Sequence, residues 1–185
     1  MISQRLNSLD AELFSDAIKF FSVALNMGDS DIPCKVKTVE NLGQGNVAGS
    51  CTAHIDKDDK ISSIDIQIKN AITVFGMIEA LAHEMVHAEQ FMKGKLYFGR
   101  EKTRIFGIFP TWRRIRYWKG LRLNDMDYYS NPAEIEAFLK QRALTLEFFK
   151  HVEGKLMPNN IFKHIMQDRD DSAEYCAMLE DESNL

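Results

Sequence analysis

Apolar residues recur at helical spacing near the start of the chain. Leu9, Leu13, Ala17, Phe21 and Leu25 fall on one stripe behind Ser8, a residue type that caps helices. Gly28 and the DSDIP stretch after it end that helix. The pattern then shifts to alternation, with strand candidates at residues 34–40, 46–56 and 61–69. The turn Gly43-Gln44-Gly45 separates the first two, and the DKDDK cluster at 56–60 separates the second from the third. In the third strand Ile61, Ile64, Ile66 and Ile68 mostly alternate with polar residues, as in a half-buried strand. Helical spacing returns over residues 71–93, where Val74, Met77, Ile78, Leu81, Met85 and Met92 form an apolar stripe that Gly94 closes. Residues 95–130 read as an irregular insert, because Gly99, Gly107, Pro110 and Gly120 interrupt any long helix. Asn131-Pro132 opens a last long helix running to about Val152, and Gly154 and Pro158 break it. Short helical pieces fill the tail.

This order of elements describes an α+β fold with a small antiparallel or mixed sheet. With 185 residues, no repeat and no low-complexity linker, the chain reads as one domain over 1–185. Within it lie a basic aromatic insert at about 94–130 and an acidic helical tail at about 155–185. Hydrophobic residues make up 45% and charged residues 27%, an ordinary globular composition. No apolar run reaches bilayer length and the N-terminus lacks a secretory pattern, so no membrane partner is expected. Cys34, Cys51 and Cys176 are odd in number and lack metal-ligand spacing. They read as free thiols of a cytoplasmic protein.

The chemistry lies in the second long helix. His83-Glu84-Met85-Val86-His87 is an HExxH motif. Residues four apart share a helical face, so both imidazoles can bind one Zn²⁺. Glu84 then stands where a carboxylate takes a proton from a metal-activated water. Opposite the apolar stripe the helix carries Gly76, Ala80, His83, His87 and Gln90. Its small residues leave room for a metal, a substrate or another helix.

A catalytic zinc takes three protein ligands and keeps one position open. Two carboxylates at the start of the last helix are candidates for the third. Glu134 shares its flank with Ala137, Phe138, Gln141, Thr145 and Phe148, an uncharged face suited to packing on the HExxH helix. Glu136 shares its flank with Lys140, Glu147 and Lys150, which reads as a solvated face with an i,i+4 ion pair. Glu134 also fits a capping box with Asn131, a role that needs no metal. His151, His164 and His54 are further alternatives. Tyr128 and Tyr129, just upstream, are candidates for stabilising a transition-state oxyanion, or for packing.

The HExxH helix, the later Trp118-Lys119-Gly120, the aromatic pair and the P-x-E-x-E-A segment at 132–137 together resemble SprT-like metallopeptidases encoded by tailed phages. The resemblance covers roughly residues 34–140. It implies a zincin-like domain, peptide-bond hydrolysis in a host cytoplasm, a zinc cofactor, and a glutamate as third ligand, which aligns with Glu134. Ala133 stands where that family often has Trp.

The net charge of −4 conceals an asymmetry. Residues 93–122 carry ten basic residues and one acid, Glu101, while acids gather in the tail. Tyr97, Phe98, Phe106, Phe109, Trp112, Tyr117 and Trp118 interleave with those cations. Such a mixture fits a nucleic-acid partner, or a surface matched internally by the acidic tail. The expected main partner is a peptide or protein substrate. Competing readings are a DNA- or protein-binding module with a structural zinc, and a zinc hydrolase of a non-peptide amide.

Overall fold

The computed structural model describes residues 8–43, 47–70, 73–105, 109–124 and 126–152. Three helices and two small sheets make an α+β fold: α1 (Ser8–Ala24), β1 (Cys34–Val39), β2 (Gly49–Ile55), β3 (Ile61–Lys69), α2 (Val74–Met92), β4 (Leu96–Ile105), β5 (Phe109–Trp118), β6 (Leu121–Arg122) and α3 (Pro132–Val152). Single 3₁₀ turns lie at Met27–Asp29 and Tyr128–Ser130. The chain divides into two compact units, residues 1–148 and 149–185. Of the second, the described part is the last turn of α3. The expected acidic helical tail lies outside the described residues.

The first sheet has the order β1-β3-β2, with β1 parallel and β2 antiparallel to β3. β3 is central, and its Ile64, Ile66 and Ile68 are fully buried. Flanked on both sides, β3 offers no free edge to an added strand. The edges are instead the more polar β1 and β2. α2 packs on β2 and β3, and α1 packs on α2 through its stripe of Leu13, Ala17, Phe21 and Leu25. Phe20 and Phe21 of α1 meet Phe148 of α3 edge-on at 5.6 and 5.7 Å between centroids.

α2 begins three residues later than the periodicity suggests, where Thr73 accepts a hydrogen bond from Gly76 N–H at 3.1 Å. It is also more enclosed than a one-sided stripe predicts, since every residue from Ala80 to Phe91 is buried. Ala80, Ala82 and Ala88 let neighbouring elements approach closely. His83, His87, Glu89 and Gln90 on this helix are buried with partners, as described below.

The expected irregular insert is a second sheet, β4-β5-β6, all antiparallel. Gly and Pro rule out a helix here but not a strand. Pro110 sits at the far end of β5 from β6, where its missing N–H leaves no gap in a ladder on that side. Lys119 and Gly120, with φ of 45° and 89°, form the two-residue turn into β6. Two successive positive φ angles are the requirement of a tight turn of the I′ type, so the glycine of Trp118-Lys119-Gly120 has a local structural reason.

Candidate metal centre

His83 and His87 stand one turn apart on α2, with their Nε2 atoms 3.1 Å from each other. Glu134, in the first turn of α3, brings Oε2 to 3.3 Å from His83 Nε2 and 3.2 Å from His87 Nε2. Among the described residues this is the one group of three side chains able to hold a metal ion. Tetrahedral ligands about 2.0–2.1 Å from a zinc ion stand about 3.3–3.4 Å apart, close to the separations found here. Two imidazoles and a carboxylate are also the donor set that zinc favours. The residues therefore fit the group.

Glu134 does not serve as a cap. Asn131 caps α3 with its own side chain, accepting from Ala133 N–H at 3.0 Å, and the Asn131 N–H donates to the Tyr128 carbonyl. The Glu134 carboxylate is thus free to face the histidines. Burial alone would raise its pKa, but hydrogen bonds and charge from His83 and His87 hold it well below the usual carboxylate range. Burial opposes protonation of His87, and the hydrogen bond and charge of Glu134 reverse this, so its pKa is raised.

Glu84 is buried beside the triad. Burial raises its pKa, the two histidines pull it down in part, and Glu134 adds to the rise. Its position depends on a residue that sequence reasoning missed. A Cβ on Gly49, at the start of β2, would come within 2.8 Å of Glu84 Cγ and 2.9 Å of its Oε1. The available signal was a glycine inside a strand pattern, which often marks a close approach.

Gln90 was noted only as a member of the polar face of α2. It is fully buried, with Oε1 2.9 Å from His87 Nδ1 and Nε2 donating to the Ala133 carbonyl and to Glu136 Oε2, both at 3.0 Å. Gln141 Oε1 lies 3.1 Å from His83 Nδ1. Glu136 does pair with Lys140, at 3.2 Å, as its spacing predicts. It also accepts from Lys95 at 2.9 Å, so it is half-buried in an ion-pair cluster rather than solvated. The same cluster contains Glu89, which pairs with Lys93, Lys95 and Lys140.

Tyr128 adjoins the site and Tyr129 does not. Burial, then the charge and hydrogen bonding of Glu134, push the Tyr128 hydroxyl up to about 12. Tyr129 is 80% exposed. His54 is on β2, paired with Asp65 at 3.0 Å, and His151 is on the last turn of α3. His164 lies outside the described residues.

Part of the basic segment is matched internally. Arg100 and Arg114 reach Asp59 at 2.9 and 3.4 Å, Arg122 pairs with Glu101, and Lys93 and Lys95 belong to the Glu89 cluster. These partners lie in the body of the chain; a match to the tail would involve residues outside those described. No described helix is long and apolar enough to cross a membrane. Comparison with protein-family models, with curated proteins and with solved structures finds no match to this chain.

Proposed function

We propose that the chain is a zinc-dependent metallopeptidase with a zincin-like active site, of the SprT-like kind that its motifs resemble. One observation carries the reading: His83, His87 and Glu134 bring three ligand atoms within 3.1–3.3 Å of one another, with the buried Glu84 carboxylate alongside. His83, His87 and Glu134 would hold a zinc ion there, which would supply the Lewis acidity that activates water and polarises a substrate carbonyl. Glu84 takes a proton from water as the water oxygen bonds to the carbonyl carbon. It returns that proton to the amine nitrogen as the C–N bond breaks. Its raised pKa suits it to hold the proton between the two events. Tyr128 keeps its proton at neutral pH and donates to the charge developing on the carbonyl oxygen.

The substrate is an extended peptide. β2 is an edge strand whose first residue adjoins Glu84. Lys69 N–H donates to the Ala48 carbonyl, so by the alternation of an antiparallel ladder Gly49, Cys51 and Ala53 turn their backbone groups to the free edge. A peptide adding there as one more strand passes beside the triad.

The test is metal content followed by cleavage. The purified protein is expected to hold about one zinc per chain, lost in His83→Ala and His87→Ala. Glu84→Gln should keep the zinc and lose at least about two orders of magnitude in casein cleavage. A wild type that takes up no zinc overturns the metal site. Equal cleavage by wild type and Glu84→Gln overturns the enzyme and leaves a structural zinc.

A second reading concerns the partner. Lys102 and Trp112 face each other across the second sheet, Arg116 follows on the same face, and Trp112 is 65% exposed. Cations beside an exposed indole suit single-stranded nucleic acid. Salt-dependent binding of an oligonucleotide, weakened by Trp112→Ala, is the expected result; no binding at low salt overturns it.

A further inference from the structure

The side chains behind His87 form a chain of contacts whose direction is fixed. The Gln90 amide nitrogen faces the Ala133 carbonyl and the Glu136 carboxylate, each 3.0 Å away. Both are acceptors only at neutral pH. Rotating the amide by half a turn would set its oxygen against two other oxygens inside a fully buried site. The nitrogen therefore stays where it is, and Oε1 must face His87 Nδ1 at 2.9 Å. An amide oxygen only accepts, so the imidazole must carry its proton on Nδ1. The neutral ring then keeps its lone pair on Nε2, at the point shared with His83 and Glu134. Glu136 is held in turn by Lys95 at 2.9 Å and Lys140 at 3.2 Å. The contact between Gln141 and His83 lacks this property, since no second contact fixes which way that amide points among the described bonds.

We propose that Gln90 and Glu136 are positioning residues, which hold a proton on His87 Nδ1 and so reserve Nε2 for a metal. Glu136 acts through Gln90, not on the metal. This inference rests on the metal-site reading for its purpose, but the proton on Nδ1 is set by Gln90 with or without the metal and is testable without zinc.

The experiment has two arms on the full chain. The first records the ring ¹⁵N and ¹H resonances of His87 in metal-free protein by NMR. A slowly exchanging proton on Nδ1 is expected in the wild type, whether or not Nε2 carries a second proton towards Glu134. In Gln90→Leu the Nδ1 proton should exchange rapidly, and a wild-type ring protonated on Nε2 alone overturns the proposal. The second arm measures zinc affinity by competition with a chelator. Gln90→Leu should lose about 10–100-fold, the range for removing an outer partner of a metal-bound histidine. Glu136→Ala, which is partly exposed and leaves the core packed, should lose less. Combined with Gln90→Leu, Glu136→Ala should add nothing further. Unchanged affinity in a folded Gln90→Leu protein, or a Glu136→Ala effect that adds in full to that of Gln90→Leu, overturns the proposal. A wild type with a locked Nδ1–H ring and no zinc uptake would fail the metal reading alone.

Discussion

Replacing Gly49 by alanine tests the closest packing in the site. The added Cβ would meet Glu84 Cγ at 2.8 Å and Oε1 at 2.9 Å, about 0.6 and 0.5 Å inside ordinary contact, and Ile68 Cδ1 at 3.1 Å. Ile68 can yield through the end of a flexible chain. Glu84 cannot yield as easily, because α2 is enclosed on all sides around it. Turning its side chain about 30° from a rotamer minimum costs about 0.5–1.5 kcal/mol, and overpacking of a buried site costs about 1–3 kcal/mol in all. For a protein of this length that corresponds to a Tm fall of about 2–10 °C. A double-mutant cycle with Glu84→Ala isolates the cause, since truncating Glu84 removes the two closest atoms. In that background Gly49→Ala should be close to neutral, helped by the smaller backbone entropy of the unfolded chain, about 0.4–1 kcal/mol. Urea unfolding of the four proteins in excess chelator gives the coupling without any contribution from metal binding. If Gly49→Ala costs the same with and without the Glu84 side chain, the close approach does not govern this position. In the zinc-loaded protein Gly49→Ala should also keep its metal while cleavage falls by about 100-fold, the penalty for moving a reacting group by about 1 Å.

Glu134→Ala should lose zinc affinity by at least about 100-fold, whereas Glu136→Ala loses far less; zinc titrations giving the reverse order would show that the carboxylates had been assigned wrongly. Tyr128→Phe should keep the zinc and slow casein cleavage by about 10-fold, and Tyr129→Phe should change neither, which steady-state rates and elemental analysis will check. Acid should destabilise the protein partly through Glu89. Burial would raise its pKa, but Lys93, Lys140 and Lys95 hold it below its ordinary value. Its ionised form therefore contributes stability that is complete above about pH 4.3, the unfolded value, and is lost as pH falls through the lower folded value. Urea midpoints between pH 7 and pH 3 should fall more steeply for wild type than for Glu89→Gln, and parallel curves would count against the ion-pair cluster.

Features that depend on local spacing can be read from the order of residues alone. The helical periods of α1, α2 and α3 were legible because 3.6-residue geometry acts between near neighbours, and so was the alternation of β3. The i,i+4 spacing of His83 and His87 required a shared helical face, and the uncharged flank of Glu134 pointed it towards another helix while leaving Glu136 with Lys140. Tertiary contacts decided the rest. Nothing near Ile61–Lys69 says which strands will flank it, so its central place depended on β1 and β2 pairing from elsewhere in the chain. The hairpin of β4 and β5 was hidden because arginines and lysines occupy its outward positions, and a strand is recognised by the apolar face it buries. Gly49 gains its meaning from Glu84, 35 positions away, and Gln90 from Ala133 and Glu136 on another helix. Local spacing sets which way a side chain can point, but only the packed neighbours decide what it meets, because water competes for every polar group until burial removes it.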